Sequence, residues 1–182
     1  RSLIWHGFNK VVFATGHTSN LPTLDYTIRA LRYHTGALVF AYGADTESFA
    51  ELNKDVIEDK EGLAGWHAAE IETSGALLFC PELVKKERME KQLPSKPEYL
   101  PENMEKKDGS GFRAKYRGLE IRFPFQQNEY AKTGVMGDPK LASREKGEII
   151  YSRMIKLFAD FLKELKKVKV DWEIKRDFPD MF

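Results

Sequence analysis

Positions 10–15 read KVVFAT, 16–20 GHTSN, 21–35 LPTLDYTIRALRYHT and 37–42 ALVFAY, and this succession of runs decides the fold. KVVFAT and ALVFAY are short, apolar and rich in β-branched or aromatic residues, the composition of buried strands. Between them Leu21, Leu24, Ile28 and Leu31 recur at spacings of three, four and three, which marks one face of a helix. Asn20 or Ser19 stands where a cap is needed, and Gly36 where the helix must end. Strand, helix, strand predicts a right-handed parallel βαβ crossover. Ligands of such sheets gather beyond the carboxyl ends of the strands. His17, in the loop after the first strand, is therefore a functional candidate, whereas His6 and His34 sit near helix ends as surface groups. GHTSN lacks both the lysine of a phosphate-binding P-loop and the GxGxxG of a dinucleotide site, so nucleotide binding is set aside.

Upstream, residues 2–8 read as the end of a helix closed by Gly7. Downstream, residues 43–66 are polar and broken by Gly62 and Gly65, with a short helix around Glu47–Leu52. A second concentration of chemistry follows at 67–74, HAAEIETS. It opens a helix expected from about Glu70 to Phe79. If that helix already includes His67, then His67, Glu70 and Ser74 share a face and Glu72 lies about 200° from Glu70. If the start is extended, Glu70 and Glu72 point the same way. A carboxylate beside a neutral imidazole suits a borderline divalent metal or general acid–base work. An ordinary helix N-terminus with acidic residues answering its dipole is the alternative. Trp66 is either core packing or a pocket wall.

Residues 85–111 are charge-rich and punctuated by Pro94, Pro97 and Pro101, an excursion with little regular structure. A strand is expected at Leu119–Phe123 and a glycine-pinned loop at Gly134–Pro139. A long helix then carries Ile150, Met154, Leu157, Phe158, Phe161 and Leu165 as an apolar stripe, with Lys163, Lys166 and Lys167 near its end. The tail, with Trp172, Phe178 and Phe182, is too aromatic to stay free and is expected to dock.

The whole is bounded by composition. A chain of 182 residues, 42% hydrophobic and 12% aromatic, is expected to form one α/β domain over residues 1–182. A net charge of +1, from 29 basic and 28 acidic side chains, offers no field for nucleic acid or an anionic membrane. No apolar run approaches membrane-spanning length. Cys80 is the sole cysteine, which excludes an intrachain disulfide; a buried inert thiol in a reducing cytoplasm is the expectation.

Four stretches, GFNKVVFATGHTSN (7–20), HAAEIETS (67–74), CPELV (80–84) and GVMGDPKLASREKG (134–147), together resemble the creatininase (creatinine amidohydrolase) family. The resemblance covers nearly the whole chain. It implies a largely parallel sheet flanked by helices, a divalent metal (Zn, Mn or Fe), hydrolysis of small cyclic or amide-like substrates at C–N or C–C bonds, and a homo-oligomer, commonly a hexamer. It makes His17 and Glu70 metal ligands and His67 the catalytic imidazole, from which a metal-activated water and a proton-shuttling His67 follow. Asn20, Thr18, Ser19, Trp66 and Glu72 become residues that orient the metal ligands or face the substrate.

The departures from the family pattern carry information of their own. Creatininase proper has Tyr and Glu after the loop histidine, where this chain has Thr18 and Ser19, which argues against creatinine as substrate. The preferred branch is a 3-dehydro-scyllo-inosose hydrolase, with a formamide deformylase or a creatinine amidohydrolase as alternatives. A catalytically silent assembly or ligand-binding subunit is the non-enzyme alternative. The family's remaining metal ligands come from a segment upstream, so the chain resembles the C-terminal two-thirds of a member. An upstream segment or another chain is expected to complete a cleft on which His17 and Glu70 converge.

Overall fold

The protein is described from a computed structural model, which defines residues 1–43, 46–106 and 108–176, with Thr46 as backbone only. The chain gathers into two compact units, residues 1–45 with 159–182, and residues 46–158.

In the first unit α1 (Ser2–Trp5) leads into β1 (Lys10–Ala14), α2 (Leu21–Thr35) and β2 (Leu38–Tyr42). β1 and β2 pair in parallel from Lys10↔Leu38 to Ala14↔Tyr42, the pairing that the two apolar runs predict. The α2 helix stops because Gly36 turns left-handed at φ 79°, a conformation glycine adopts without Cβ strain. Ile4, Leu31 and Ala37 form the core of this unit, with Val11, Phe13, Val39 and Ile174 against them. Phe161 stacks on Tyr42 at 5.4 Å between ring centroids and meets Phe40 edge-on at 5.7 Å. The tail docks as its aromatics require. Trp172 Nε1 donates to Gly36 O at 2.7 Å, Arg32 lies over the indole, and Lys175 N donates to Thr35 O. Phe178 and Phe182 lie outside the described residues.

The second unit holds α3 (Thr46–Leu52), α4 (Glu70–Phe79), β3 (Met104–Glu105), β4 (Arg113–Tyr116), β5 (Leu119–Arg122) and α5 (Gln127–Tyr130). The last helix, α6 (Arg144–Lys167), begins here and ends among the residues of the first unit. The strands β3, β4 and β5 form an antiparallel sheet. Of these, β5 stands where the alternating LEIRF predicts it. β4 and β3 fall in or beside the stretch expected to be irregular, because charged RAKY gives no apolar alternation to read. One core cluster joins Leu100, Ala114, Phe125, Tyr130, Ala131 and Met136; another joins Ala64, Ile71 and Ile150. Cys80, expected to be buried, is only partly so, because it lies just past the C-terminal end of α4.

Candidate functional site

His67 lies just outside α4, whose first residue is Glu70, so the imidazole and the two carboxylates do not share a helix. The turn that carries it is strained: Ala68 has φ 51°, a left-handed conformation that costs an alanine energy through its Cβ. Side chains of α4 hold that strain in place. Glu72 Oε2 accepts from Ala68 N at 2.9 Å, and Thr73 Oγ1 donates to Ala68 O at 2.9 Å. From the other side Met136 N donates to His67 O at 2.9 Å. The loop from Gly134 to Gly137, glycine-pinned in sequence, is thus a support for the histidine.

Glu72 bends back toward His67, with Oε1 at 3.9 Å from Nδ1. The imidazole is 35% exposed and the carboxylate 51%, so the pair faces solvent and can meet a substrate. The neighbouring Glu72 carboxylate raises the His67 pKa above the ordinary imidazole value, against a partial burial that would lower it. Tyr151 packs beneath Gly75, where burial first and then Glu72 push its phenol up. Trp66 packs against the core cluster of Leu100, Phe125 and Met136, and a Cβ on Gly109 would come within 2.3 Å of its ring. Of the two readings of Trp66, core packing is what this contact shows; the indole is only partly buried.

Glu70 goes the other way, as residues two apart on a helix must. Its carboxylate is fully buried and accepts from Glu58 N at 3.0 and 3.1 Å and from Asp59 N at 2.9 Å. The Lys146 ammonium pairs with the same carboxylate and also reaches Glu58 at 2.6 Å and Leu141 O at 2.7 Å. Burial alone would lower the Lys146 pKa, yet the two carboxylates hold it above its usual value. Glu70, expected as a metal ligand, here accepts from three donors of the chain itself, Glu58 N, Asp59 N and Lys146 Nζ. No group of three His, Cys, Asp or Glu side chains lies close enough to hold a metal ion among the described residues.

His17 belongs to the first unit and is exposed in the loop after β1. Its backbone N–H donates to Thr15 Oγ1 at 3.2 Å, and Thr15 Oγ1 donates back to His17 O. Asn20, proposed as a helix cap, instead donates its side-chain amide to Thr15 Oγ1 at 3.0 Å. Thr18, Ser19 and Asn20 form a 3-10 turn that leads straight into α2, with Ser19 exposed and Thr18 half-buried.

Residues 1–162 match the model of a family described as creatininase, creatinine amidohydrolase. The chain belongs to the creatininase family. A curated relative, creatinine amidohydrolase of Pseudomonas putida, is 28% identical over 175 residues, covering 90% of this chain and 58% of that protein. The chain therefore spans well under two-thirds of the length of that relative. Among solved structures, creatininase matches with TM-score 0.57 at 22% identity over 92% of this chain and 60% of that one. A glutamate-to-glutamine mutant creatininase titled as Zn-Zn type and a structure titled Creatininase Mn each match with TM-score 0.56, at 23% and 22% identity. Both cover 92% of this chain and 60% of theirs. These neighbours confirm the α/β creatininase-like fold that the sequence resemblance implies.

Neither the Lys146–Glu70 pairing nor the left-handed turn at Ala68 is legible in the sequence. Lys146 lies 76 residues from Glu70, and only the shared family stretch ending in REKG pointed toward its neighbourhood. For Ala68 no sequence signal exists, since alanine is not a residue that marks positive φ.

Proposed function

We propose that this chain serves a metal-dependent hydrolase of the creatininase type, with His67 as the proton carrier and Glu72 as the carboxylate that orients it. The observation that supports it most is the solvent-facing His67–Glu72 pair on a strained, multiply held turn. A carboxylate beside an imidazole fixes its tautomer and stabilises the imidazolium formed when it takes a proton. His67 can then return that proton to a leaving nitrogen or carbon. Backbone strain that survives at a site is paid for elsewhere in the fold and is a feature of functional positions.

The Zn-Zn and Mn forms among its structural relatives support a divalent ion for the whole enzyme. His17 is proposed as the imidazole that faces it. The described residues do not close a metal site by themselves, so further donors are proposed to come from an upstream segment or another chain. Substrate is proposed to be a small cyclic or amide-like molecule. Creatinine is disfavoured because Thr18 and Ser19 replace the Tyr and Glu of creatininase proper; a 3-dehydro-scyllo-inosose hydrolase is the preferred reading, with a formamide deformylase as the alternative. A homo-oligomer of hexameric type, a cytoplasmic location and a single creatininase-like domain belong to the same proposal. No helix among the described residues is long and apolar enough to cross a membrane.

The test is a turnover screen of the complete enzyme with Zn²⁺ or Mn²⁺ over inosose-type ketones, formamides and creatinine, run beside His67→Gln. The expected result is turnover of one of the first two classes, negligible creatinine hydrolysis, and a loss of about 10²- to 10⁴-fold in kcat for the variant. Full turnover by His67→Gln removes the proton-carrying role. A metal-loaded protein that turns over none of the three favours the silent assembly subunit.

A further inference from the structure

We propose that Lys146 is a positioning residue: by pairing with buried Glu70 it fixes the turn that presents His67, and Glu70 anchors the site instead of binding a metal. The inference rests on the proton-carrying role proposed for His67. An ionised carboxylate offers about four acceptor directions and an ammonium three N–H donors. Glu70 receives Glu58 N, Asp59 N and Lys146 Nζ, while Lys146 spends its donors on Glu70, Glu58 and Leu141 O. Both ends of the pair are thereby satisfied. A divalent cation at Glu70 would have to expel a resident ammonium with which it shares the sign of charge.

The route from this pair to His67 is short. Glu70 is the first residue of α4, and the same turn supplies Ile71 N to Ala64 O, Glu72 to Ala68 N and Thr73 to Ala68 O. Lys146 sits at the start of α6, where Ser143 N donates to Ser74 Oγ and Ser74 Oγ donates to Glu70 O. The pair therefore joins the N-terminal turns of α4 and α6. It fixes the direction in which Glu72 meets His67.

The experiment compares the parent with Lys146→Met, Glu70→Gln and the double variant by thermal melting, NMR titration of the His67 ring and Zn²⁺ uptake. Lys146→Met leaves a buried carboxylate without its cation, and its melting temperature should fall by about 10 °C. The His67 pKa should drop toward the ordinary value of about 6.5. Zn²⁺ uptake should stay at the parent value. The double variant buries no lone charge and should recover at least half of the lost melting temperature; it carries the same readouts if Lys146→Met does not fold. Two outcomes overturn the proposal. If Zn²⁺ uptake rises in Lys146→Met and vanishes in Glu70→Gln, Glu70 is a ligand for which Lys146 competes. If the His67 titration does not move while stability falls, the pair is structural only. Failure of the His67 role appears elsewhere, as full turnover by His67→Gln with these ion-pair readouts intact.

Discussion

His17 and His67 are both imidazoles in loops between regular elements, and the chain treats them differently. The His17 loop is held by local hydrogen bonds to Thr15, two to five residues away, and lies exposed. The His67 turn is held by α4, by the loop at Met136 and, through Glu70, by Lys146. Local bonds in an exposed loop stabilise little. The α4 bonds at the His67 turn span only four and five residues and are equally local, but the bond from Met136 N to His67 O comes from a distant loop, and such a bond resists displacement and can maintain strain. The added long-range bond accords with the role proposed for His67, a proton carrier that must hold one direction.

Packing between α4 and α6 offers the most severe way to break this contrast. A Cβ on Gly147 would lie 2.4 Å from Ser74 O and 3.1 Å from Leu78 Cβ, contacts with backbone and a packed side chain that cannot give. Gly147→Ala should cost about 2 kcal/mol, overpacking outweighing the gain of up to about 1 kcal/mol in helix propensity. Denaturant melting measures it, and a neutral result would mean that α4 and α6 are not tightly seated.

Next in size is the electrostatic hold on the imidazole. Because the folded pKa of His67 lies above its unfolded value, its stabilisation is fully present below about pH 6.5 and is lost as pH rises through the folded value. Glu72→Gln should lower stability at pH 5.5 and leave it nearly unchanged well above the folded pKa, while the acidic limb of the kcat profile, set by the neutral imidazole that must take the proton, moves down in pH. Equal stability losses at pH 5.5 and 8.5 would contradict the ion-pair account.

The smallest effect belongs to the other histidine's loop. Asn20→Ala removes one exposed hydrogen bond to Thr15 and should cost about 0.5 kcal/mol, with no change in the His67 titration. Gly16→Ala meets nothing within 4 Å and should be equally mild. A loss above 2 kcal/mol from either would show that the His17 loop is as firmly built as the His67 turn.

What could be read in advance divides along the same line. The parallel β1–α2–β2 unit, the α4 helix from Glu70 and the long α6 all follow from periodicity and from Gly36, because each is decided by residues close in sequence. The family was legible because four separated motifs stand in order. The antiparallel strand β4 was not, since Arg113, Lys115 and Tyr116 are exposed or half-buried and only Ala114 turns inward. Its pairing with β5, and β5 with it, gives the pattern that one strand alone lacks.

The candidate site divides in the same way. Sequence alone determined which residue types stand together in HAAEIETS, and that a helix beginning there sends Glu70 and Glu72 to different sides, because two residues advance a helix by about 200°. Only the tertiary structure decided which carboxylate serves which end. Glu72 faces His67 because Ala68 turns left-handed to offer its N–H, and Glu70 is buried because Lys146, 76 residues on, arrives to neutralise it. The physical reason is that a charge can enter an interior only with a partner, and a partner that distant is brought by the packing of α6 on α4.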